Sequence, residues 1–408
     1  MNNKKKKILF FHHSSSIGGA GISGLNTIKA IPSEKYEVMV YCNSHGGNMA
    51  NIFSAEGINV IAGGTSPVSF AHCVGSDRAA ISLRSIINFI QVLLDIKRVQ
   101  AIIIQEKPDI IIVNSMTLFW IGKLAKNSGI ETICFFRETY IHGLLGIRTR
   151  IIKYFLSNYF DKIAFISKFE HEQNKDLKCK KTIIYNVVQP ADYSFIDKNL
   201  VKQQLKLEKN NFNVLYVGGM SPLKGAHVAI EAFSKIRNDN IRLIFVGYKW
   251  NGKRKSLFDC NNIKQKIRYL LNHDYEKKCT DLIFQYGLES RIKFYPSQSR
   301  IAPFFSACDA LIFPATKPHQ ARPVFEAGIA KIPVIVPDFP NLKECIDENS
   351  GFLFENNNST DLARVISELA ENPAAAANKV EENYWATINR HTPQVFGKKI
   401  INLLEGNA

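Results

Sequence analysis

The chain has 408 residues, of which 46% are hydrophobic and 22% are charged, and its formal net charge is +16. This length exceeds what one ordinary core holds, so two domains are expected, and the composition is typical of a globular protein. No apolar run reaches the ~18–20 residues that span a bilayer, and the start MNNKKKKILFFHHSSS lacks the apolar core of a signal peptide. A cytoplasmic location is therefore predicted.

Cysteine spacing and charge narrow the possible partners. Eight cysteines are scattered without a C-x-x-C pair, which argues against structural zinc and against a disulfide scaffold. The basic excess indicates a polyanionic partner, which could be a phosphorylated ligand, a nucleic acid or an anionic membrane surface. Nucleic acid is the least expected of these, because no helix-turn-helix, zinc-finger or RNP-like pattern is present.

Short apolar runs alternate with helical patterns in the first half of the chain, which predicts a parallel sheet with crossover helices. A long helix is expected at residues 82–106, where apolar side chains recur at helical spacing. The predicted strands are residues 8–11, 38–41, 58–61, 110–113, 133–136, 162–166 and 183–185.

A second α/β unit begins after a polar stretch. Residues 1–190 are predicted to form an N-terminal Rossmann-like domain, 191–211 a linker and 212–380 a second such domain. Residues 381–408 are predicted to hold a helix that could cross back to the first. In open parallel sheets ligands bind outside the carboxyl ends of the strands, so two such sheets facing each other predict one shared cleft. The predicted strands are 214–217, 242–246, 292–295, 311–313, 334–336 and 351–354, and the predicted helices are 226–236, 282–287, 303–308, one from Pro323, one from Asp361 and 386–404.

The stretch LIFPATKPHQARPVFEAGIAKIPVIVP predicts a strand, a polar loop, a helix and a second strand. Pro323 suits the first helical position, which would put Glu326 in the first turn, near free backbone amides. A loop that ends at a helix N-terminus with one carboxylate suits a ligand bearing phosphate and vicinal hydroxyls. Alternatively, Glu326 only complements the helix dipole.

Glycine-rich turns follow the first predicted strand of each domain. Gly18 and Gly19 would let backbone amides approach a phosphate, although a simple tight turn explains them too. The spacing is not G-x-G-x-x-G and no acidic residue ends the second strand, which disfavours a dinucleotide. In the second turn, Gly218 and Gly219 precede Lys224, whose ammonium could neutralise a diphosphate. The alternative, an exposed lysine at a helix start, would oppose the helix dipole.

Polar side chains also end several strands of the first half. Arg137 could bind a phosphate and Glu138 a sugar or acceptor, or the two could form a buried structural ion pair. Other candidate cleft residues at strand ends are His12, His13, Ser167 and Asn186.

The segment IRTRIIKYFLSNYF, residues 147–160, is basic and amphipathic. Together with the MNNKKKK start it could lie on an anionic membrane. A helix with one buried and one solvated face explains the same pattern.

Three motifs together resemble the C-terminal domain of glycosyltransferase family 4, whose members are retaining enzymes of the GT-B fold: VGGMSPLKGAHVAIEAF, SACDALIFPA and PVFEAGIAKIPVIV. Weaker similarity extends upstream through the first glycine-rich turn, KPDIIIVNS, FDKIAFISKFE and IIYNVV. The resemblance implies that Lys224 contacts the donor diphosphate and that Glu326 binds the ribose hydroxyls. It also implies that Gly18 and Gly19 lie near phosphate and acceptor. The absence of D-x-D agrees with a metal-independent reaction that needs no cofactor, the nucleotide-sugar being a substrate.

Two positions depart from the family pattern. Pro318 stands where the first Glu of the E-x7-E pair is usual, and Gly219 stands where an Arg is usual five residues before Lys224. Arg322 could replace the missing positive charge or form a salt bridge. His319 and Gln320 could hold sugar hydroxyls or be plain loop residues.

The function predicted from this resemblance is a retaining glycosyltransferase that moves a sugar from a nucleotide-sugar donor to a glycan or lipid-linked acceptor. The expected setting is bacterial surface polysaccharide assembly, with the protein cytoplasmic or peripheral at the inner membrane face. Lys224, Arg322, Arg137 and Glu138 are the predicted catalytic residues. The alternatives are a GT-B nucleotide-sugar epimerase and a non-catalytic nucleotide-binding homologue.

Overall fold

A computed structural model describes residues 4–15, 18–42, 48–61, 67, 69, 83–140, 144–194, 196–271, 274–318 and 321–406. The chain divides into two compact units. Of the described residues, unit 1 holds those within 4–69, 83–187 and 393–406, and unit 2 holds those within 188–392. Each unit is an α/β structure built on one parallel sheet, which confirms the predicted pair of Rossmann-like domains.

The sheet of unit 1 has seven strands in the order β3-β2-β1-β4-β5-β6-β7. Every neighbouring pair is parallel. The strands are β1 Lys6–Phe11, β2 Tyr36–Tyr41, β3 Asn59–Val60, β4 Ile110–Val113, β5 Glu131–Phe136, β6 Lys162–Phe165 and β7 Lys180–Ile183. The helices are α1 Gly19–Lys29, α2 Asn48–Ala55, α3 Leu83–Glu106, α4 Trp120–Asn127, α5 Ile147–Tyr159, α6 Lys168–Glu172 and, from the end of the chain, α16 Pro393–Glu405.

The central strands of unit 1 are apolar throughout because helices cover both faces. Alternate residues of a strand point to opposite faces. Ile8 and Phe10 pack in a core with α1, α2 and α16. Leu9 and Phe11 pack in a second core with α3, α4 and α5.

The sheet of unit 2 has six parallel strands in the order β10-β9-β8-β11-β12-β13. The strands are β8 Phe212–Val217, β9 Ile241–Val246, β10 Ile292–Tyr295, β11 Ala310–Ile312, β12 Val334–Pro337 and β13 Phe352–Phe354. The helices are α7 Lys198–Gln204, α8 Ala226–Lys235, α9 Ile263–Leu270, α10 Tyr275–Gln285, α11 Ala302–Ala307, α12 Arg322–Ala330, α13 Pro340–Lys343, α14 Ser359–Glu371 and α15 Ala377–His391.

The faces of the second sheet alternate in the same way. Val214 and Tyr216 of β8 pack in a core with α8, α10 and α14. Leu215 packs on the other side with α7, α11 and α12. Residues 191–211, predicted as a linker, contribute Val201 and Leu207 to that second core.

Strand order reverses once in each sheet. In unit 1 the chain runs outward from β1 through β2 to β3 and then returns to place β4 on the other side of β1. In unit 2 it leaves β8 through β9 and β10 and returns to place β11 beside β8. Ligands of open α/β sheets bind at such a switch point, outside the carboxyl ends of the two flanking strands.

Three predicted elements differ in the structure. Strand β7 pairs with β6 through Lys180–Ile183 rather than through 183–185, because at the sheet edge the ladder admits lysines while the apolar Ile184 and Tyr185 are buried beyond the strand's end. Strand β3 is only Asn59–Val60. The predicted helix 386–404 is two helices, because Pro393 disfavours helical backbone at Thr392, whose φ is −79° and ψ is 156°.

The helices and the cysteines of the described residues have two further properties. Within the described residues, no helix has the length and the apolar character that crossing a membrane requires. The cysteines of these residues are free thiols, and Cys73 lies outside them.

Candidate functional site

In unit 2 the loop between β8 and α8 is fixed by hydrogen bonds to its own strand and to the end of β11. The Tyr216 hydroxyl lies 3.2 Å from the carbonyl of Gly219 and 3.3 Å from that of Lys224. Thr316 donates from its amide to the Leu223 carbonyl at 3.0 Å and from its hydroxyl to the Pro222 carbonyl at 2.9 Å. The loop therefore has a fixed shape at the switch point of this sheet.

Two glycines of this loop meet different surroundings. Gly225, before α8, has a φ of +67°, and a Cβ there would lie 1.7 Å from the Pro314 carbonyl oxygen. This position needs glycine for packing and backbone conformation alike. A Cβ on Gly219 would have as its nearest neighbour the Gly247 carbonyl oxygen at 3.7 Å. Among the described residues, packing thus does not require glycine at position 219, and the space beside it is open.

Lys224 lies across this loop. A Cβ on Gly218 would fall 2.7 Å from Lys224 Cδ, so the lysine stem passes directly over the glycine. Burial lowers the pKa of Lys224. Among the described residues no acidic side chain forms an ion pair with its ammonium. A cation without an acidic partner just before the N-terminus of α8 makes this loop a candidate anion site, to which the helix dipole would add.

Glu326 lies on α12, one residue further from the start of the helix than predicted. The helix begins at Arg322, with no acidic residue in its first turn, so the prediction of Glu326 beside the free terminal amides is wrong. Instead Glu326, which is 6% exposed, accepts from Arg322 Nε at 3.0 Å. The Tyr193 hydroxyl forms a second hydrogen bond with the carboxylate. Burial raises the pKa of Glu326, while Arg322 and Tyr193 act to keep it ionised.

The structure thus places the predicted residues of unit 2 on the β8–α8 loop and on α12, which follow the two strands that flank its switch point. Gly218, Gly219 and Lys224 follow β8, whereas Arg322 and Glu326 follow β11. His319 and Gln320 lie outside the described residues. Sequence reasoning missed Tyr193, which lies 133 positions before its partner Glu326 and in no motif.

In unit 1 the switch point holds His12 and Asn114. The Asn114 amide nitrogen lies 3.1 Å from His12 Nδ1 and 2.9 Å from the Ala20 carbonyl oxygen. Both its protons are then used, and His12 Nδ1 is an acceptor with the ring proton on Nε2. Among the described residues, neither His12 Nε2 nor His13 Nδ1 has a hydrogen-bond partner. Burial lowers the pKa of His12 to about 3 and that of His13 to about 4, so both rings are neutral at pH 7.

The Arg137 guanidinium is saturated by neutral partners within unit 1. Its Nε donates to Asn114 Oδ1 at 2.6 Å, and one terminal nitrogen donates to Thr27 Oγ1 at 2.9 Å. The other terminal nitrogen contacts the Ser23 hydroxyl and the Asn186 side-chain oxygen. Burial lowers the pKa of Arg137 to about 10, which leaves it charged at pH 7. Arg137 therefore holds Asn114, and through it His12, against α1.

Glu138 joins the ends of β4 and β5. Its carboxylate accepts from Ser115 Oγ at 2.6 Å and from the backbone amides of Met116 and Arg137, both at 3.2 Å. Burial raises the pKa of Glu138, against the effect of these hydrogen bonds. The carboxylate is thus held by Ser115 and backbone amides, while the Arg137 guanidinium turns toward α1.

Two other predicted positions of unit 1 have defined surroundings. Ser167 caps α6 by accepting from the Glu170 amide at 3.2 Å, so its hydroxyl has a structural partner. Gly18 and Gly19 begin α1, and a Cβ on either would find no atom within 4 Å. Within the part of the chain that the structure describes, these two glycines leave open space in front of the helix N-terminus. Sequence reasoning missed Asn114, although the motif KPDIIIVNS contains it.

Within the described residues, no group of three or more His, Cys, Asp or Glu side chains is placed to hold a metal ion. The charges at the second switch point come instead from Lys224, Arg322 and Glu326. Two Rossmann-like units, with a glycine–lysine loop and a buried glutamate on α12 of the second, are the elements of a GT-B glycosyltransferase.

Family comparisons agree with this class over nearly the whole chain. Residues 17–192 match the model described as Glycosyltransferase Family 4, and residues 197–384 match Glycosyl transferases group 1. The chain belongs to the family 4 glycosyltransferases, as the sequence motifs predict.

Individual relatives are distant in sequence and close in fold. HepE from Anabaena, solved in complex with UDP, is 20% identical, with a TM-score of 0.77 over 98% of this chain and all of that one. A glycosyltransferase from Rickettsia africae is 18% identical, with a TM-score of 0.74 over 99% of both chains. D-inositol 3-phosphate glycosyltransferase from Streptosporangium roseum is 24% identical over 199 residues, which are 46% of this chain and 40% of that enzyme.

Proposed function

We propose that this protein transfers a sugar from a nucleoside-diphosphate donor to a hydroxyl of a glycan or lipid-linked acceptor, with retention of the anomeric configuration. The observation that carries the proposal is the Lys224 ammonium, which lies at the switch point of unit 2 with no acidic partner among the described residues. A leaving diphosphate supplies the missing negative charge. HepE has also been solved with UDP-glucose, which favours a UDP-linked donor.

The β8–α8 loop and α12 of unit 2 would bind different parts of the donor. Lys224 and the amides of the Gly218–Gly219 turn would contact the diphosphate, where negative charge grows as the sugar–phosphate bond breaks. Glu326 would accept hydrogen bonds from the ribose hydroxyls. Arg322 acts to lower the pKa of that carboxyl against the effect of burial, and it would be the second cation near the leaving group. No metal enters this scheme.

Unit 1 would bind the acceptor. Its switch point holds a buried and neutral His12, whose Nε2–H lacks a partner among the described residues, near the N-terminus of α1. A sugar hydroxyl needs such neutral donors and acceptors rather than a cation. Arg137 and Glu138 hold the strand ends from which these groups project. A lipid-linked acceptor in surface polysaccharide assembly would place the protein at the cytoplasmic face of an anionic membrane.

Calorimetric titration with UDP tests the diphosphate site. For Lys224→Ala we expect the affinity to fall about 100-fold, because a charge-assisted contact to phosphate is lost, at about 1.5–3 kcal/mol. The control is Lys235→Ala at the far end of α8, whose ammonium lies 2.8 Å from Ser359 Oγ and should not influence UDP. Unchanged UDP affinity in a folded Lys224→Ala protein would remove Lys224 from the site.

Because Pro318 replaces an expected residue, two other functions must be tested as well. It stands where the family's E-x7-E pair has its first carboxylate, at the reaction centre. A nucleotide-sugar epimerase would interconvert two donors without any acceptor, so incubation with single nucleotide-sugars followed by mass spectrometry distinguishes it. A non-catalytic homologue would bind UDP and leave every donor–acceptor pair unchanged. Product formation from a donor and an acceptor contradicts both.

A further inference from the structure

One segment of unit 2 exposes an apolar surface that the transfer reaction does not use. It runs from residue 249 to residue 271, between β9 and α10, and contains α9. Ile263, Ile267 and Leu270 recur along α9 at the spacing of one helix face, and all three are exposed, Ile263 by 77%. Phe258, in the turn before α9, is 96% exposed. Few side chains of this size are so open on a folded surface.

The base of the segment is fixed to unit 2. Lys255 Nζ lies 2.9 Å from Asp274 Oδ2 and 2.6 Å from Glu276 Oε2, and its side chain is mostly buried. The Trp250 ring packs against Phe294 with their centroids 5.0 Å apart. The exposed surface therefore projects from a rigid base.

The exposed end also has a defined conformation. Asn262 caps α9 by accepting from the Gln265 amide at 3.0 Å, and Gln265 Oε1 in turn accepts from the Asn261 amide at 2.7 Å. Ser256 and Asp259 form a capping box around the turn that carries Phe258. The apolar side chains are thus presented on a formed helix and turn.

The charge of residues 249–271 indicates which kind of partner can cover the exposed apolar side chains. Residues 249–271 contain one acidic residue, Asp259, and seven basic ones, which are Lys249, Lys253, Arg254, Lys255, Lys264, Lys266 and Arg268. A second copy of the chain would bring like charges together, which disfavours self-association. A bilayer that contains anionic phospholipids offers both an apolar interior and negative headgroups. A short basic amphipathic helix is suited to that interface.

We propose that residues 256–271 insert into the headgroup region of an anionic phospholipid bilayer, with Phe258, Ile263, Ile267 and Leu270 on the acyl side. The segment leaves the carboxyl end of β9, where a Cβ on Gly247 would lie 2.4 Å from the Gly218 carbonyl oxygen. Its base thus adjoins the loop that carries Lys224. Insertion would hold the donor loop near the membrane, where a lipid-linked acceptor is found.

Binding of the full-length protein to sedimented vesicles tests this proposal. Vesicles of phosphatidylcholine alone are compared with vesicles containing about one third phosphatidylglycerol. We expect binding to the anionic vesicles only, and a loss of at least about tenfold in the partition coefficient for Phe258→Ser/Ile263→Ser/Ile267→Ser. The matched control, Leu93→Ser/Leu94→Ser/Ile104→Ser on α3, removes three side chains of similar exposure in unit 1 and should change binding less than about twofold.

Several results would overturn the proposal: no binding of the wild-type chain, equal binding by the α9 variant, or loss of binding in the α3 control alone. A dimer seen by sedimentation velocity without lipid, and abolished by the α9 variant, would identify a second copy as the partner instead. Thermal unfolding and UDP affinity show whether the variants are folded. The insertion itself does not depend on the proposed transfer reaction, and only its purpose does. Vesicle binding is measured without nucleotide and UDP binding without lipid, so each proposal can fail independently of the other.

Discussion

The two units have the same strand order around the switch point, but the cation near that point has different surroundings in each unit. In unit 1 Arg137 is buried and enclosed by Asn114, Thr27 and Ser23, all of them neutral. In unit 2 Lys224 has no acidic partner among the described residues. The same topology therefore surrounds a buried cation with neutral acceptors in one unit and leaves a lysine without an acidic partner, the proposed anion site, in the other. The fold determines where a ligand binds, and the placement of a few side chains determines its charge.

Among the substitutions that test this comparison, Arg137→Met is expected to have the largest effect. Loss of the guanidinium leaves several buried oxygens without a donor, so the free energy of unfolding should fall by about 3 kcal/mol or more. UDP affinity should stay within about twofold, because Lys224 is untouched. Urea unfolding and calorimetry measure the two quantities. A variant of normal stability with UDP affinity lowered tenfold would show that Arg137 binds phosphate, and the contrast between the units would be lost.

A glycine pair in unit 2 separates packing from ligand contact. Gly225→Ala adds a Cβ against the Pro314 carbonyl at positive φ, and we expect it to cost about 2–3 kcal/mol of unfolding free energy and to weaken UDP binding by displacing Lys224. Gly219→Ala enters open space and should change stability by less than about 0.5 kcal/mol. If the UDP affinity of Gly219→Ala nevertheless falls, a ligand occupies that space. Equal stability of both variants would contradict the loop geometry.

The smallest effect concerns His12, which is buried and neutral in unit 1. The pKa of His12 is about 3 in the folded chain, against 6.5 as its ordinary value. Below pH 6.5 the unfolded chain binds a proton that the folded chain does not, so acid weakens folding. Between pH 7 and pH 5 His12 should account for about 2 kcal/mol of the loss. His12→Gln should remove that part in urea unfolding at the two pH values. An identical loss in both proteins would mean that folding does not lower the pKa of His12.

Some features of the fold and of the candidate site could be predicted from the sequence. Buried parallel strands appear as unbroken apolar runs, which is why β1, β4, β5 and β8 were predictable. Lys224 and Glu326 lie in local motifs with fixed spacing. The edge strand β7 was predicted at residues 183–185 but lies at Lys180–Ile183. An edge strand tolerates Lys180 and Lys181, so it does not appear in the sequence as an apolar run. The contacts of Asn114 and Tyr193 join residues far apart in the chain, and no local pattern records them.

Helix α16 has a consequence for the order in which the protein forms. Its residues Phe396, Ile400 and Leu403 complete a core of unit 1, and Lys162 Nζ donates to the Leu403 carbonyl at 2.7 Å. Unit 2 is nearly continuous in the chain, whereas unit 1 needs residues from both ends. On the ribosome, the domain that is synthesised first is thus the last whose core can close, after residues 188–392 have already been made.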